Sequence, residues 1–104
     1  MPAREEEILN KILEIVKKQL DPDIIILFGS RGKQTAQGNA DFDLAVSGIN
    51  REQVSVRCHR KIMEKIDRAA GLYTVDLVYL DSVEEQFKDI ILETGRVIYE
   101  RNRS

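Results

Sequence analysis

The 104-residue chain lacks tryptophan and has only one cysteine, one histidine and two prolines. A lone cysteine excludes an internal disulfide, and one cysteine with one histidine cannot build a zinc cluster. No apolar run approaches the roughly 20 residues that a membrane span needs, so we expect no contact with a membrane. The net charge is only −2. There is thus no global positive field to attract nucleic acid, and we do not expect nucleic acid as a partner.

The composition that remains is that of a globular protein, with 42% apolar and 33% charged residues. These fractions exclude a disordered tail and a fibrous repeat. The length leaves room for one domain, which we place at residues 1–104. Three consecutive acids, Glu5 to Glu7, make the start unlike a signal peptide. Together with the single cysteine, this leads us to expect a cytoplasmic protein.

Apolar periodicity predicts helices that alternate with strands. The predicted elements are a helix over residues 4–20, strands over 24–28 and 42–46, a helix over 50–71, a strand over 73–80, a helix over 82–95 and a short strand over 97–99. The run at 24–28 is rich in β-branched residues without a polar interruption, which predicts burial on both faces. This order favours one α/β (α+β) unit, with a small sheet of three to four strands packed against helices.

Two of the helices carry capping-box patterns at their predicted starts. Asn50 is followed three residues later by Gln53, and Ser82 by Glu85. The helix that begins at Asn50 also has an apolar stripe at four-residue spacing, which predicts that Cys58 packs in the core. The stripe consists of Val54, Cys58, Ile62, Ile66 and Ala70. The basic residues of this helix are expected to form a solvated face.

Three acids and a glycine turn carry the chemistry. Gly29-Ser30 follows the first apolar strand, and Asp41 and Asp43 lie at the start of the next strand. Alternate side chains of a strand point to the same face, so these two carboxylates should project together, roughly 6 to 7 Å apart. Asp76 can join them if its strand is adjacent. Oxygen ligands alone favour Mg²⁺ or Mn²⁺ over zinc, and three carboxylates can hold two ions.

The turn itself suits a phosphate group. Glycine lets the backbone approach phosphate oxygens, Ser30 offers a hydroxyl, and the amides that follow point at the anion. Arg31 and Lys33 could add positive charge. Beside three acids, such a turn predicts a divalent-metal site that handles a nucleoside triphosphate.

The spacing of these residues resembles a known signature. Gly29-Ser30, ten further residues and then Asp41-Phe42-Asp43 are similar to the GSx10DxD signature of the minimal nucleotidyltransferases, small members of the DNA polymerase β-like superfamily. The order of elements agrees over most of the chain, including the later strand acid, Asp76. The resemblance implies a single-domain nucleotidyltransferase fold with a small mixed sheet.

The resemblance also implies roles for individual residues. Gly29, Ser30 and Arg31 would hold the triphosphate of ATP, the substrate. Asp41 and Asp43 would bind two Mg²⁺ ions, with Mn²⁺ as a substitute. Asp76 would help to bind one of the ions and would deprotonate or orient the acceptor hydroxyl.

A partner follows from the same resemblance. Family members are typically the antitoxin half of a pair with a HEPN-type ribonuclease toxin, which they silence by transferring AMP from ATP to a tyrosine. We therefore expect a metal-dependent transfer of AMP to a hydroxyl of a cognate HEPN toxin.

Two other functions stay open at this point. The chain could be a non-catalytic antitoxin that neutralises its partner by occlusion. It could also be half of a small-molecule nucleotidyltransferase, which would need an acceptor pocket from a second copy; the short length argues against this alternative. A homo-oligomer is likewise left open.

Overall fold

The computed structural model describes residues 3–29, 42–49 and 54–101, and these contain three helices and one four-stranded sheet. The elements are α1 (Ala3–Leu20), β1 (Ile24–Phe28), β2 (Phe42–Ser47), α2 (Val56–Ala70), β3 (Val75–Tyr79), a 3-10 turn (Leu80–Ser82), α3 (Glu85–Thr94) and β4 (Arg96–Glu100). The predicted α+β class is confirmed. No described helix combines the length and apolar character that crossing a membrane requires.

The strands lie in the order β3-β2-β1-β4. β2 and β4 both pair antiparallel with β1, whereas β3 pairs parallel with β2, so the predicted mixed sheet of four strands is confirmed. A parallel pair needs a long crossover connection, and α2 lies within the segment that connects β2 to β3. The sequence order alone does not reveal that β4 joins the sheet beside β1.

Helices cover both faces of the sheet. One cluster of buried side chains joins α1 and α2 to the face that carries Ile25, Leu27 and Leu44. A smaller cluster joins Ile91 of α3 to the face that carries Ile26. Successive residues of β1 thus enter opposite clusters, which confirms the prediction that this strand is buried on both sides.

A carboxylate that follows β3 in the chain holds the C-terminal end of β2 in place. Asp81, in the 3-10 turn, accepts hydrogen bonds from the backbone N–H of Gly48 at 2.8 Å and from the Ser47 hydroxyl at 3.1 Å. Hydrogen bonds to an ionised acceptor are among the stronger ones. At the near end of the pair, the Phe42 N–H donates to the Thr74 carbonyl at 2.8 Å. These bonds hold β2 and β3 in one register at both ends.

Both helices with capping-box patterns begin later than predicted. Helix α2 begins at Val56, and its N-cap is Ser55, whose hydroxyl accepts from the Cys58 N–H at 3.0 Å. Asn50 and Gln53 lie outside the described residues, and Val54 already precedes the helix. For α3 the N-cap is Glu84, with no side-chain cap bond, because residues 80–82 form the 3-10 turn instead.

The burial predicted for Cys58 was also wrong. The thiol is exposed, not buried in the core. Val54 is buried ahead of the helix, so the four-residue spacing that joins it to Cys58 and Ile62 is not a continuous helical stripe. The neighbouring His59 is half-buried, and its Nδ1 lies 2.8 Å from the hydroxyl oxygen of Tyr79.

Candidate active site

Two of the predicted acids lie side by side on adjacent strands. Asp43 of β2 and Asp76 of β3 are direct register partners, and parallel neighbours lie about 4.8 Å apart. Asp43 is half-buried and Asp76 is exposed. Both project from the face that α3 covers in part, since Phe42 and Leu44 point into the opposite core. Like charges directly opposite each other in a sheet repel, and a bound cation relieves that repulsion.

Gly29 lies against the carboxylate of Asp43. It follows Phe28, the register partner of Asp43, and its backbone is left-handed, with φ of 70°. A Cβ atom built at this position would collide with Oδ2 of Asp43. Glycine is therefore favoured by the backbone conformation, and any side chain at this position would have to displace the Asp43 carboxylate. The sequence suggested only that glycine lets a phosphate approach.

The remaining predicted site residues lie outside the residues that the structure describes. They are Ser30, Arg31, Lys33 and Asp41. Over 3–29, 42–49 and 54–101, no group of three His, Cys, Asp or Glu side chains is placed to hold a metal ion. The pair formed by Asp43 and Asp76 is thus the described part of the predicted three-acid site. Its donor set, carboxylate oxygens alone, fits Mg²⁺ or Mn²⁺.

A residue at the border of the site was not singled out by its sequence pattern. Phe87 of α3 packs edge-to-face on Phe28, with ring centroids 6.0 Å apart. Phe28 precedes Gly29 and partners Asp43, so Phe87 stands next to the turn and the acid pair. Helical periodicity marks Phe87 as apolar and core-facing, but which strand it meets depends on the packing of the whole domain.

We expect Gly29→Ala to reduce nucleotidyl transfer by about 10²-fold or more, because the added methyl group would displace the Asp43 carboxylate. The left-handed backbone should also cost about 1–3 kcal/mol of stability. The specificity constant kcat/KM for ATP measures the loss of transfer, and the midpoint of thermal unfolding measures the loss of stability.

Gly71→Ala is the matched control for this change. Gly71 has a similar φ of 66°, but a Cβ atom there would meet no atom within 4 Å. We expect backbone strain at this positive φ as well, with unchanged activity. Equal losses of activity in both variants would show that strain, not the collision with Asp43, limits transfer.

Residues 10–104 match the protein family described as polymerase beta, nucleotidyltransferase, and the chain belongs to that family. The predicted membership in the polymerase β-like superfamily is thereby confirmed, as is the class of enzyme, a nucleotidyltransferase. The chain is also 30% identical over 94 residues to the probable protein adenylyltransferase MntA of Haemophilus influenzae. This match covers 89% of the present chain and 81% of the relative.

Solved structures agree with the fold. A toxin-antitoxin crystal structure with AMP-PNP contains a chain of 25% identity and TM-score 0.75, matched over 88% of the present chain and 73% of its own. A second match is in the complex of a tri-AMPylated Shewanella oneidensis HEPN toxin with its MNT antitoxin. It has 22% identity and TM-score 0.71, covers 92% of the present chain and 72% of the other, and supports the fold alone.

Proposed function

We propose that the chain transfers AMP from ATP to a tyrosine hydroxyl of a cognate HEPN-type toxin and acts as its antitoxin. The observation that carries this proposal is the pairing of Asp43 with Asp76, with the Asp43 carboxylate packed against the Gly29 turn. Such an arrangement would supply acidic metal ligands beside a glycine whose backbone can approach a phosphate. The names of the relatives, a protein adenylyltransferase and toxin-antitoxin complexes, support a protein as the acceptor.

The metal ligands that we propose are Asp41, Asp43 and Asp76, holding two Mg²⁺ ions. The chemistry supplied by divalent cations there is activation of the acceptor oxygen and neutralisation of charge on the departing pyrophosphate. The half-buried position of Asp43 suits a fixed ligand. The two carboxylates are register partners on one face of the sheet, a placement that suits shared ligation of a cation.

Gly29, Ser30 and Arg31 would bind and orient the triphosphate. In the transfer, the acceptor oxygen forms a bond to the α-phosphorus, and the bond from that phosphorus to pyrophosphate breaks. The hydroxyl proton passes to Asp76, whose exposed carboxylate is accessible to a second protein. Positioning and fixed charge would supply most of the acceleration.

The test is an incubation of the chain with its cognate HEPN-type protein, Mg²⁺ and ATP labelled at the α-phosphate. We expect label on the toxin tyrosine, and none after chelation of the metal. ATP labelled at the γ-phosphate is the matched control, because AMP transfer leaves that label in pyrophosphate. A toxin that is inhibited yet carries no label would reject the proposal and support neutralisation by occlusion.

A further inference from the structure

Exposed apolar side chains are concentrated in the last helix and the last strand. Of the six large hydrophobic side chains exposed among the described residues, four lie in α3 and β4. Their exposed fractions are 40% for Phe87, 54% for Ile90, 53% for Leu92 and 52% for Val97. We call the exposed side chains of residues 84–100, which span α3 with its N-cap Glu84 and β4, the α3-β4 surface. Phe87 and Ile90 share one flank of α3, and Leu92 lies on the other flank of the buried Ile91. Exposed apolar side chains that share a face often mark an interaction site.

The α3-β4 surface lies on the same side of the sheet as the acid pair. Ile91 of α3 packs on the face that carries Ile26 and Ala45, and Val97 is the register partner of Ile26. Asp43 projects from that face too, because it lies two residues before Ala45 on β2. Since Phe87 contacts Phe28 beside the Gly29 turn, the apolar surface continues to the edge of the candidate active site.

The charges within the α3-β4 surface are mostly negative. Residues 84–100 contain five acidic and two basic residues. The acids are Glu84, Glu85, Asp89, Glu93 and Glu100, and all five are exposed. Two copies joined through this surface would bring like charges together, which costs free energy, whereas a basic partner would be attracted. The charge pattern therefore disfavours self-association and favours a partner with lysine and arginine around an apolar patch.

We propose that the α3-β4 surface docks the acceptor protein, through an apolar patch on that protein ringed by lysine and arginine side chains. This inference rests on the proposed function, because it takes the acceptor to be a protein. A partner held there stands beside Asp43 and Asp76, and its hydroxyl reaches the site at a high effective concentration.

The test compares two charge reversals of equal size. Asp89→Lys with Glu93→Lys changes the α3-β4 surface, and Glu64→Lys with Asp67→Lys changes exposed acids of α2 by the same amount. We expect the first pair to weaken binding of the HEPN-type protein by at least about tenfold, as loss of complementary interface charge does, and the second pair to leave it unchanged. Isothermal titration of the purified proteins measures both.

A second variant tests the apolar contribution, and transfer kinetics separate docking from chemistry. Ile90→Asp with Leu92→Asp should also weaken binding at least about tenfold, while stabilisation by MgATP stays at the wild-type level. For both α3 variants, KM for the acceptor should rise with kcat retained at saturation, because the acid pair is untouched.

Three outcomes would overturn the inference: wild-type affinity in both α3 variants, no binding by the wild-type chain, or a wild-type dimer in light scattering that the α3 variants convert to a monomer. Failure of the proposed function gives a different result. If the wild-type chain binds the HEPN-type protein and the α3 variants do not, yet no AMP is transferred, the docking surface stands and the transfer is rejected.

Discussion

Replacing Asp43 with Asn is expected to abolish AMP transfer, by at least about 10³-fold in kcat, while the domain stays folded. The amide keeps the shape of the carboxylate beside Gly29 but cannot carry its negative charge. Loss of one preorganised electrostatic group in a transfer reaction has comparable consequences elsewhere. The measurement is transfer of α-labelled AMP at saturating ATP, with circular dichroism to show that the fold survives. Asp41→Asn should have the same effect.

A matched control lies on the surface of α2. Asp67 is exposed on α2, which packs on the sheet face opposite to the acid pair, so Asp67→Asn removes one carboxylate without touching that pair. Its transfer rate should equal that of the wild type. Retention of full activity by Asp43→Asn would refute the assignment of this residue.

The stability of a further variant, Asp76→Asn, tests the repulsion between Asp43 and Asp76 independently of catalysis. Asp76 faces Asp43 directly, so Asp76→Asn should stabilise the metal-free protein by about 0.2–1 kcal/mol. The same change should remove the stabilisation that MgATP gives to the wild type, because a ligand raises apparent stability only when the folded state binds it. A loss of stability in the metal-free variant would instead point to a structural role for Asp76.

The strands could be predicted from the sequence, because apolar runs of five to eight residues bounded by turn residues have few alternatives. Residues 24–28 are predicted and observed as β1, and the short strand over 97–99 is observed as β4, one residue longer at each end. The strand over 73–80 is shorter in the structure, since Leu80 enters the 3-10 turn. The helix ends agree as well, at Leu20 and Thr94.

The helix starts could not be predicted, because several polar residues near each start compete for the cap. Ser55 caps α2 although Asn50 has the stronger local pattern, and α3 begins without a side-chain cap. Such patterns describe two residues, whereas the start is set by where the helix meets the sheet. The wrong prediction for Cys58 has a separate cause. Each four-residue step turns about 40° around a helix, so Cys58 lies away from the face that Ile66 and Ala70 bury.

The sequence suggests candidate site residues but not their geometry. Strand alternation fixes the face of Asp43, but register between β2 and β3 depends on long-range contacts, among them the hydrogen bonds to Asp81. The collision between a side chain at position 29 and Asp43 is likewise a property of the folded sheet. The roles of these residues in transfer remain predictions.

Phe42→Ala is expected to have the largest effect on stability. Phe42 is the middle residue of the Asp-Phe-Asp motif, is fully buried, and packs against Tyr73 with ring centroids 5.4 Å apart. Removal of a buried phenyl ring typically costs about 3–5 kcal/mol, a large share of the roughly 5–15 kcal/mol that stabilises a domain. The melting temperature should fall by more than about 10 °C, measured by calorimetry.

Phe87→Ala is the matched control, because this ring is 40% exposed and contacts Phe28 from the other face of the sheet. Removal of this ring should lower the free energy of unfolding by clearly less than Phe42→Ala does. Phe42→Leu, which refills most of the volume, should cost less than about 1.5 kcal/mol. Because the side chain of Phe42 points away from Asp43, kcat of Phe42→Ala should approach the wild-type value at temperatures where the variant is folded. A fall in kcat without a fall in melting temperature would contradict this division, in which Phe42 stabilises the fold and Asp43 serves the chemistry.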